Sequence, residues 1–245
     1  MPINIAIPTF DRINIFRTHT YNKIIKVYKL EKYITLFIQS NKDAKEYKEA
    51  FPKLKQVRSP KGYVNTLNFI SKHYPLNAKI VKMDDDITQV LHLVDGKLIK
   101  VSSVYGLLNK TFGIMKNVGA SLGGYYPTPN AKFMGERKPI TTDLRFVIGA
   151  LYCYVNKRIH LNIEGKTDFQ FTIENYKRDG KVVRLNDYSM RYNIGYNTEI
   201  AGKHTEAFLK RYGEYVSKVI KHKKGSSSFI LKKNPHKKSN DTTDE

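Results

Sequence analysis

Short apolar runs separated by stretches of helical spacing open this chain. Ile3 to Ile7 (INIAI) stops at Pro8 and predicts a buried strand. From about Phe16 to Leu30, Tyr21, Ile24, Ile25 and Tyr28 fall on one face and predict a helix. Ile34 to Ile38 is a second strand, a polar helix runs near Lys42 to Ala50, and Lys55 to Arg58 is a short third strand. Gly62 opens a helix in which Tyr63, Leu67, Ile70 and Tyr74 keep helical spacing. Ala78 to Met83 is a fourth strand that runs directly into Asp84-Asp85-Asp86. Alternating strands and helices imply right-handed crossovers. The expected class is α/β, with a mostly parallel central sheet and helices on both faces.

The second half is less regular. Val90 to Val101 predicts a hairpin turning at Asp95-Gly96, a strong turn pair. A helix over Val104 to Met115 follows, then a proline-marked loop from Pro127 to Pro139. Leu144 to Val155 is expected as a strand pair or one long strand, Lys166 to Tyr176 as a helix, and Glu206 to Ile220 as the last helix. The expected organisation is one domain over 1–222, with halves at 1–101 and 102–222. A flexible basic tail, acidic at its end, would occupy 223–245.

Composition narrows the classes. Among 245 residues, 43 Lys+Arg against 22 Asp+Glu give a formal charge of +21, which points to a polyanionic partner. A lysine-rich composition also arises without such a partner, so charge alone leaves the question open. The segment Lys218 to Lys238 holds eight Lys and two His around Gly225-Ser226-Ser227-Ser228. Within it Lys221, Lys223, Lys224, Lys232 and Lys233 are the candidate DNA contacts. The single Cys153 excludes a disulfide scaffold and a cysteine-rich zinc module. The longest apolar run, Phe146 to Val155, is half the roughly 20 residues a bilayer span needs. The start MPINIAIPTF lacks the features of a secretory signal. A cytoplasmic protein without membrane contact is expected.

The chemistry concentrates at strand ends, where open α/β sheets bind ligands. Three consecutive carboxylates repel one another unless a cation or several donors neutralise them. Asp84 and Asp86, at i and i+2, are suited to Mg²⁺ or Mn²⁺; the plain alternative is an acidic turn capping a helix. The first strand ends in Pro8-Thr9-Phe10-Asp11-Arg12, a polar turn able to meet a base or ribose. The third ends in Arg58-Ser59-Pro60-Lys61-Gly62, a basic turn opening a helix and suited to phosphate. Nucleotide plus divalent metal is the simplest ligand for all three.

The series IAIPTFDR, GYVNTLNFI and IVKMDDDI resembles a GT-A glycosyltransferase with its DxD motif. More narrowly it is similar to the phage and protist enzymes that glycosylate hydroxymethylated pyrimidines in DNA, relatives of the base J glucosyltransferase. The resemblance is best over residues 3–90 and weaker over 144–205. It implies that Pro8, Thr9 and Arg12 face the nucleobase and ribose of a UDP-sugar donor, and that Arg58, Gly62 and Asn65 face its ribose or phosphates. Asp84, with Asp85 beside it, would reach the ribose or sugar, and Asp84 and Asp86 the metal. Asp168, in Lys166-Thr167-Asp168, matches the second acid of a pair that often faces the acceptor hydroxyl, whereas Thr167 departs from the first. His204 is the candidate extra metal ligand. The implied reaction is sugar transfer, inverting, to 5-hydroxymethylcytosine or 5-hydroxymethyluracil in DNA. The alternatives are a glycan or protein acceptor, a nucleotidyltransferase, and a non-catalytic nucleic-acid-binding protein. Tyr125 and Tyr126 are candidates for stacking on a base, or for packing.

Overall fold

The computed structural model describes residues 2–192, 204–221 and 227–235. Strands β1 (Ile3–Thr9), β2 (Ile34–Ile38), β3 (Lys55–Arg58) and β4 (Lys79–Met83) form the expected parallel unit, in the order β3-β2-β1-β4. Their side chains alternate between two cores. Ile3, Ile5 and Ile7 of β1 enter one core and Ala6 the other; Ile34, Leu36 and Ile38 of β2 likewise oppose Phe37. Burial on both faces explains why these strands read as unbroken apolar runs. Pro8 fits inside β1 because β1 pairs with β4 only as far as Ala6, so its missing N–H costs no ladder bond.

Beyond β4 the sheet continues through β9 (Leu151–Val155), β7 (Leu122–Tyr126), β10 (Val183–Tyr192), β5 (Ile87–Val94) and β6 (Lys97–Lys100), with β8 (Ile140–Thr141) on β10. Pairing here is antiparallel except for β7 with β10. The β5–β6 hairpin turns at Asp95-Gly96 as expected, both residues at positive φ, 47° and 74°.

Helices cover both faces. On one lie α1 (Ile13–Phe16), which continues as a π-helical stretch over Arg17–Ile25, then α2 (Asn41–Ala50) and α4 (Val104–Val118). On the other lie α3 (Tyr63–His73), α6 (Thr167–Asp179) and α7 (Thr205–Tyr212); α5 (Ala131–Gly135) interrupts the proline-marked loop.

Three expectations need correction. The segment 144–150 is not strand: the N–H groups of Leu144 and Gly149 are taken by the Lys233 carbonyl and the Asp168 carboxylate, leaving β9 to start at Leu151. The last helix ends at Tyr212, and Val216–Lys221 is strand β11, paired with β12 (Ser227–Leu231). The tail therefore does not begin at 223 as a flexible end. Phe229 and Leu231 are buried, Phe229 stacking on Phe208 at 4.6 Å and meeting Phe169 at 5.1 Å. Strands β7 and β10 escape the sequence pattern because one is LGGYY and the other, VRLNDYSMRY, is polar though mostly buried.

Candidate active site

The parallel strands end on one edge, and the acidic triplet lies there. Period two along β4 puts Lys82 and Asp84 on the same side, toward α3. Lys82 is buried; its Nζ donates to Asp84 Oδ1 and to the carbonyl of Gly149, and stands 5.4 Å from the ring of Tyr63. Burial lowers the Lys82 pKa, but Asp84 together with Tyr152 and Asp168 outweighs it and holds the ammonium above its usual value. Burial pushes Asp84 up to about 7, against the pull of Lys82 and with the like charges of Asp86 and Asp85 adding to it.

Asp85 and Asp86 turn the other way, under Arg12. Arg12 Nη1 lies 3.0 Å from Asp85 Oδ1, and Nη2 donates to Asp86 Oδ2 at 2.8 Å. Thr9 donates to Asp85 Oδ2 at 2.8 Å and bonds Tyr47 Oη at 2.7 Å. Burial raises the Asp85 carboxyl, with Arg12 opposing. The turn that aims Arg12 passes through Asp11 at φ 50°, whose N–H donates to Asp43 Oδ2 at 3.0 Å. Thr20, from the π-helical stretch, holds the triplet backbone: its hydroxyl donates to the Asp84 carbonyl at 3.0 Å and accepts the Ile87 N–H at 2.8 Å. Such stretches recur at functional sites.

Asp168 lies in the first turn of α6 and reaches the same place. Its Oδ2 accepts the Gly149 N–H at 3.0 Å and its Oδ1 the Thr167 hydroxyl at 3.3 Å. Gly149 thus joins Asp168, through its N–H, to Lys82, through its carbonyl. A Cβ at residue 149 would stand 2.6 Å from Asp168 Cγ, so glycine is required for this approach. Burial raises the Asp168 carboxyl, with Lys82 opposing.

The structure thus brings together Thr9, Arg12, Asp84, Asp85, Asp86 and Asp168. Pro8 is buried in β1. Gly62, at φ 97°, gives its N–H to Gln39 Oε1 at 2.8 Å. Arg58 gives two donors to the Ile38 and Gln39 carbonyls, each at 3.0 Å, and Asn65 gives its amide to the Lys61 carbonyl at 3.0 Å. Among the described residues no three of His, Cys, Asp and Glu are grouped to hold a metal, so His204, at the head of α7, is not joined to Asp84 and Asp86 in a ligand set. Yet Asp86 Oδ1 is buried and accepts no hydrogen bond. A buried carboxylate oxygen without a hydrogen-bond donor is an atom that a hard cation could take. Tyr125 is corrected to packing, fully buried with its hydroxyl 3.0 Å from Thr111 Oγ1. Lys221, Lys232 and Lys233 are exposed on and after the β11–β12 hairpin, and Lys223 and Lys224 lie outside the described residues.

Lys82 and Gly149 are the residues that sequence reasoning missed. A lysine inside an apolar strand, two residues before the triplet, was the available signal for the first, since a buried lysine needs a partner. Gly149 had no comparable signal.

A family model described as TET-Associated Glycosyltransferase matches residues 3–193. The chain belongs to this family. It is accordingly a glycosyltransferase, and the match spans the edge just described while ending before α7 and the β11–β12 hairpin. No curated protein matches the sequence. Solved structures show the fold. Glucosyl-3-phosphoglycerate synthase from Mycobacterium tuberculosis, in complex with Mn²⁺ and UDP-glucose, superposes with a TM-score of 0.53 at 10% identity, covering 94% of this chain and 86% of that one. GalNAc-T7 with UDP, GalNAc and Mn²⁺ gives 0.53 at 9% identity, covering 87% and 48%. The fold is that of GT-A glycosyltransferases.

Proposed function

We propose that this glycosyltransferase moves a sugar from a nucleoside-diphosphate donor, a UDP-sugar, to the hydroxymethyl group of a modified pyrimidine in DNA, with inversion. The observation that carries the reading is the division of labour at the sheet edge. Asp86 keeps a buried oxygen without a hydrogen bond, while Asp168 is tied through Gly149 to the same lysine that holds Asp84.

Asp86, with Asp84, would hold Mn²⁺ or Mg²⁺, which when bound supplies positive charge to the departing diphosphate. The structures of both neighbours named above contain Mn²⁺. Arg12 clamps Asp85 and Asp86 in place. Its guanidinium, about a third exposed, can also face the donor. Tyr63, exposed beside Lys82, offers a ring edge to the sugar. Asp168 takes the proton of the acceptor hydroxyl as the C–O bond forms. Its raised pKa makes it a stronger base than an ordinary carboxylate, and the bond from Gly149 orients it. The acceptor rests on the sequence resemblance and on the +21 charge, which suits a phosphodiester backbone.

The test is mass spectrometry of nucleosides from DNA containing 5-hydroxymethylcytosine or 5-hydroxymethyluracil, after incubation with the protein, Mn²⁺ and UDP-sugars. A hexose-mass adduct on either base is expected. Consumption of a UDP-sugar without any adduct on DNA would overturn the acceptor.

A further inference from the structure

Strand β10 carries an arginine into the interior. Arg184 is 7% exposed; its Nε donates to Asn186 Oδ1 at 2.7 Å, Nη1 donates to the Phe146 carbonyl at 3.3 Å, and the guanidinium lies over the Tyr126 ring at 5.2 Å. These partners are all neutral. Among the described residues no carboxylate lies within ion-pair distance of Arg184. Buried arginines are ordinarily paired, because an uncompensated charge is costly in the interior.

More positive charge gathers around it. Asn186 staples the preceding loop onto β10: its side-chain amide donates to the Lys138 carbonyl at 2.8 Å, and its N–H to the Pro139 carbonyl at 2.7 Å. Thr141 then pairs with Arg184 across β8 and β10. This brings the exposed Arg137 and the half-buried Arg145 toward Arg184. Burial, with Arg145 and Arg137 adding to it, pulls Arg184 down to about 10, and Asp143 opposes only in part. Asp143 is already held by Arg145 at 2.8 Å. The one carboxylate near these three arginines is thus held by Arg145, and a guanidinium fork matches the oxygens of a phosphate.

Arg184 lies in the same cross-sheet row as Lys82. Lys82 pairs with Tyr152, Tyr152 with Gly124, and Gly124 with Arg184. Three strand spacings of roughly 4.8 Å place Arg184 about 14 Å from Lys82. A nucleic-acid strand rising about 3.4 Å per nucleotide covers that distance in about four nucleotides.

We propose that Arg184, Arg145 and Arg137 together bind a backbone phosphate of the acceptor strand and so set the register of the DNA against Asp168. This inference rests on the DNA acceptor proposed above.

Two variants test it: Arg184→Lys, which keeps the charge and loses the fork, and the exposed Arg137→Gln, which spares the interior if the first variant melts early. Binding to a fluorescent oligonucleotide containing 5-hydroxymethylcytosine is measured between about 50 and 200 mM salt. In parallel, the Arg184 Nε–H resonance is followed while inorganic phosphate is added. Arg184→Lys should weaken oligonucleotide binding about tenfold. Arg137→Gln should lower the log–log salt slope by about 0.7, the value for one contact to a single strand. The wild-type Arg184 resonance should shift with phosphate. Oligonucleotide binding that both variants leave unchanged overturns the phosphate site while the DNA acceptor stands. A wild-type chain that binds no oligonucleotide overturns the acceptor and the backbone-phosphate assignment together; a phosphate-dependent shift at Arg184 would then point to a free phosphate ester instead.

Discussion

Under the proposed mechanism Asp86 and Asp168 divide the chemistry, and each can be removed with little change of shape. Asp86→Ala deletes the orphaned oxygen and leaves Arg12 paired with Asp85 alone. Calorimetric titration should show Mn²⁺ binding lost and transfer abolished, with the fold intact because β4 packs through Val81 and Met83. Retained, metal-dependent turnover would remove Asp86 from the site. Asp168→Asn keeps the bond from Gly149 but cannot take a proton. Its kcat should fall by roughly 10² to 10⁴ while donor affinity holds, and full activity would exclude it as the base. Gly149→Ala probes the same carboxylate from outside. The new Cβ would meet Asp168 Cγ at 2.6 Å and push it off its hydrogen bond. A displacement near 1 Å costs on the order of 10²-fold in rate, so kcat should drop without a matching change in donor binding.

At the scale of elements, the β11–β12 hairpin is the part whose role changes most. Its lysines face solvent, while Phe229 and Leu231 complete the core over α6 and α7. Ending the chain after Ile220 would uncover Phe169 and Phe208 and cut the bond from Leu144 N–H to the Lys233 carbonyl. Such a truncation should lower stability, so it cannot isolate the contribution of the basic residues. Phe229→Ala should cost about 3–5 kcal/mol, read by denaturant unfolding. Lys221→Gln with Lys232→Gln should leave stability within about 0.5 kcal/mol and instead reduce the salt slope of DNA binding. If Phe229→Ala melts like the wild type, the hairpin is not part of the core.

For the whole molecule, the proposed cation site would couple metal binding to protonation at the sheet edge. A carboxyl raised from its ordinary value to about 7, as Asp84 is, favours the proton-bound folded state. Its contribution to stability is complete below the unfolded pKa and is lost as pH rises through about 7. A cation needs the ionised form, so Mn²⁺ should displace a proton around pH 6 to 7, and its affinity should fall by about a decade per pH unit below about 7. Titrations at pH 6.5 in buffers of differing ionisation enthalpy measure the protons released. A heat independent of buffer would show that Asp84 is already ionised, or is not a ligand.

The sequence by itself determined the first four strands, the helices between them and the edge on which Asp84 to Asp86 stand. β1 and β2 are apolar on both faces, and β3 and β4 follow in alternation with helices, so pattern and order suffice. It also carried Asp95-Gly96, a turn decided by two residues. Only tertiary structure decided the rest. Lys82, Gly149 and Asp168 meet across 86 positions of chain through the backbone of one residue, a relation no spacing encodes. Strand β10 holds Arg184, Asn186 and Ser189 buried, and their partners come from β8 and the loops before it and β9 and from the end of β7, so its polar sequence hides its place in the sheet. Residues 216–231 form a hairpin because Phe229 and Leu231 find an aromatic cluster built by α6 and α7. Their lysine-rich flanks concealed an apolar face that becomes visible only when that cluster exists.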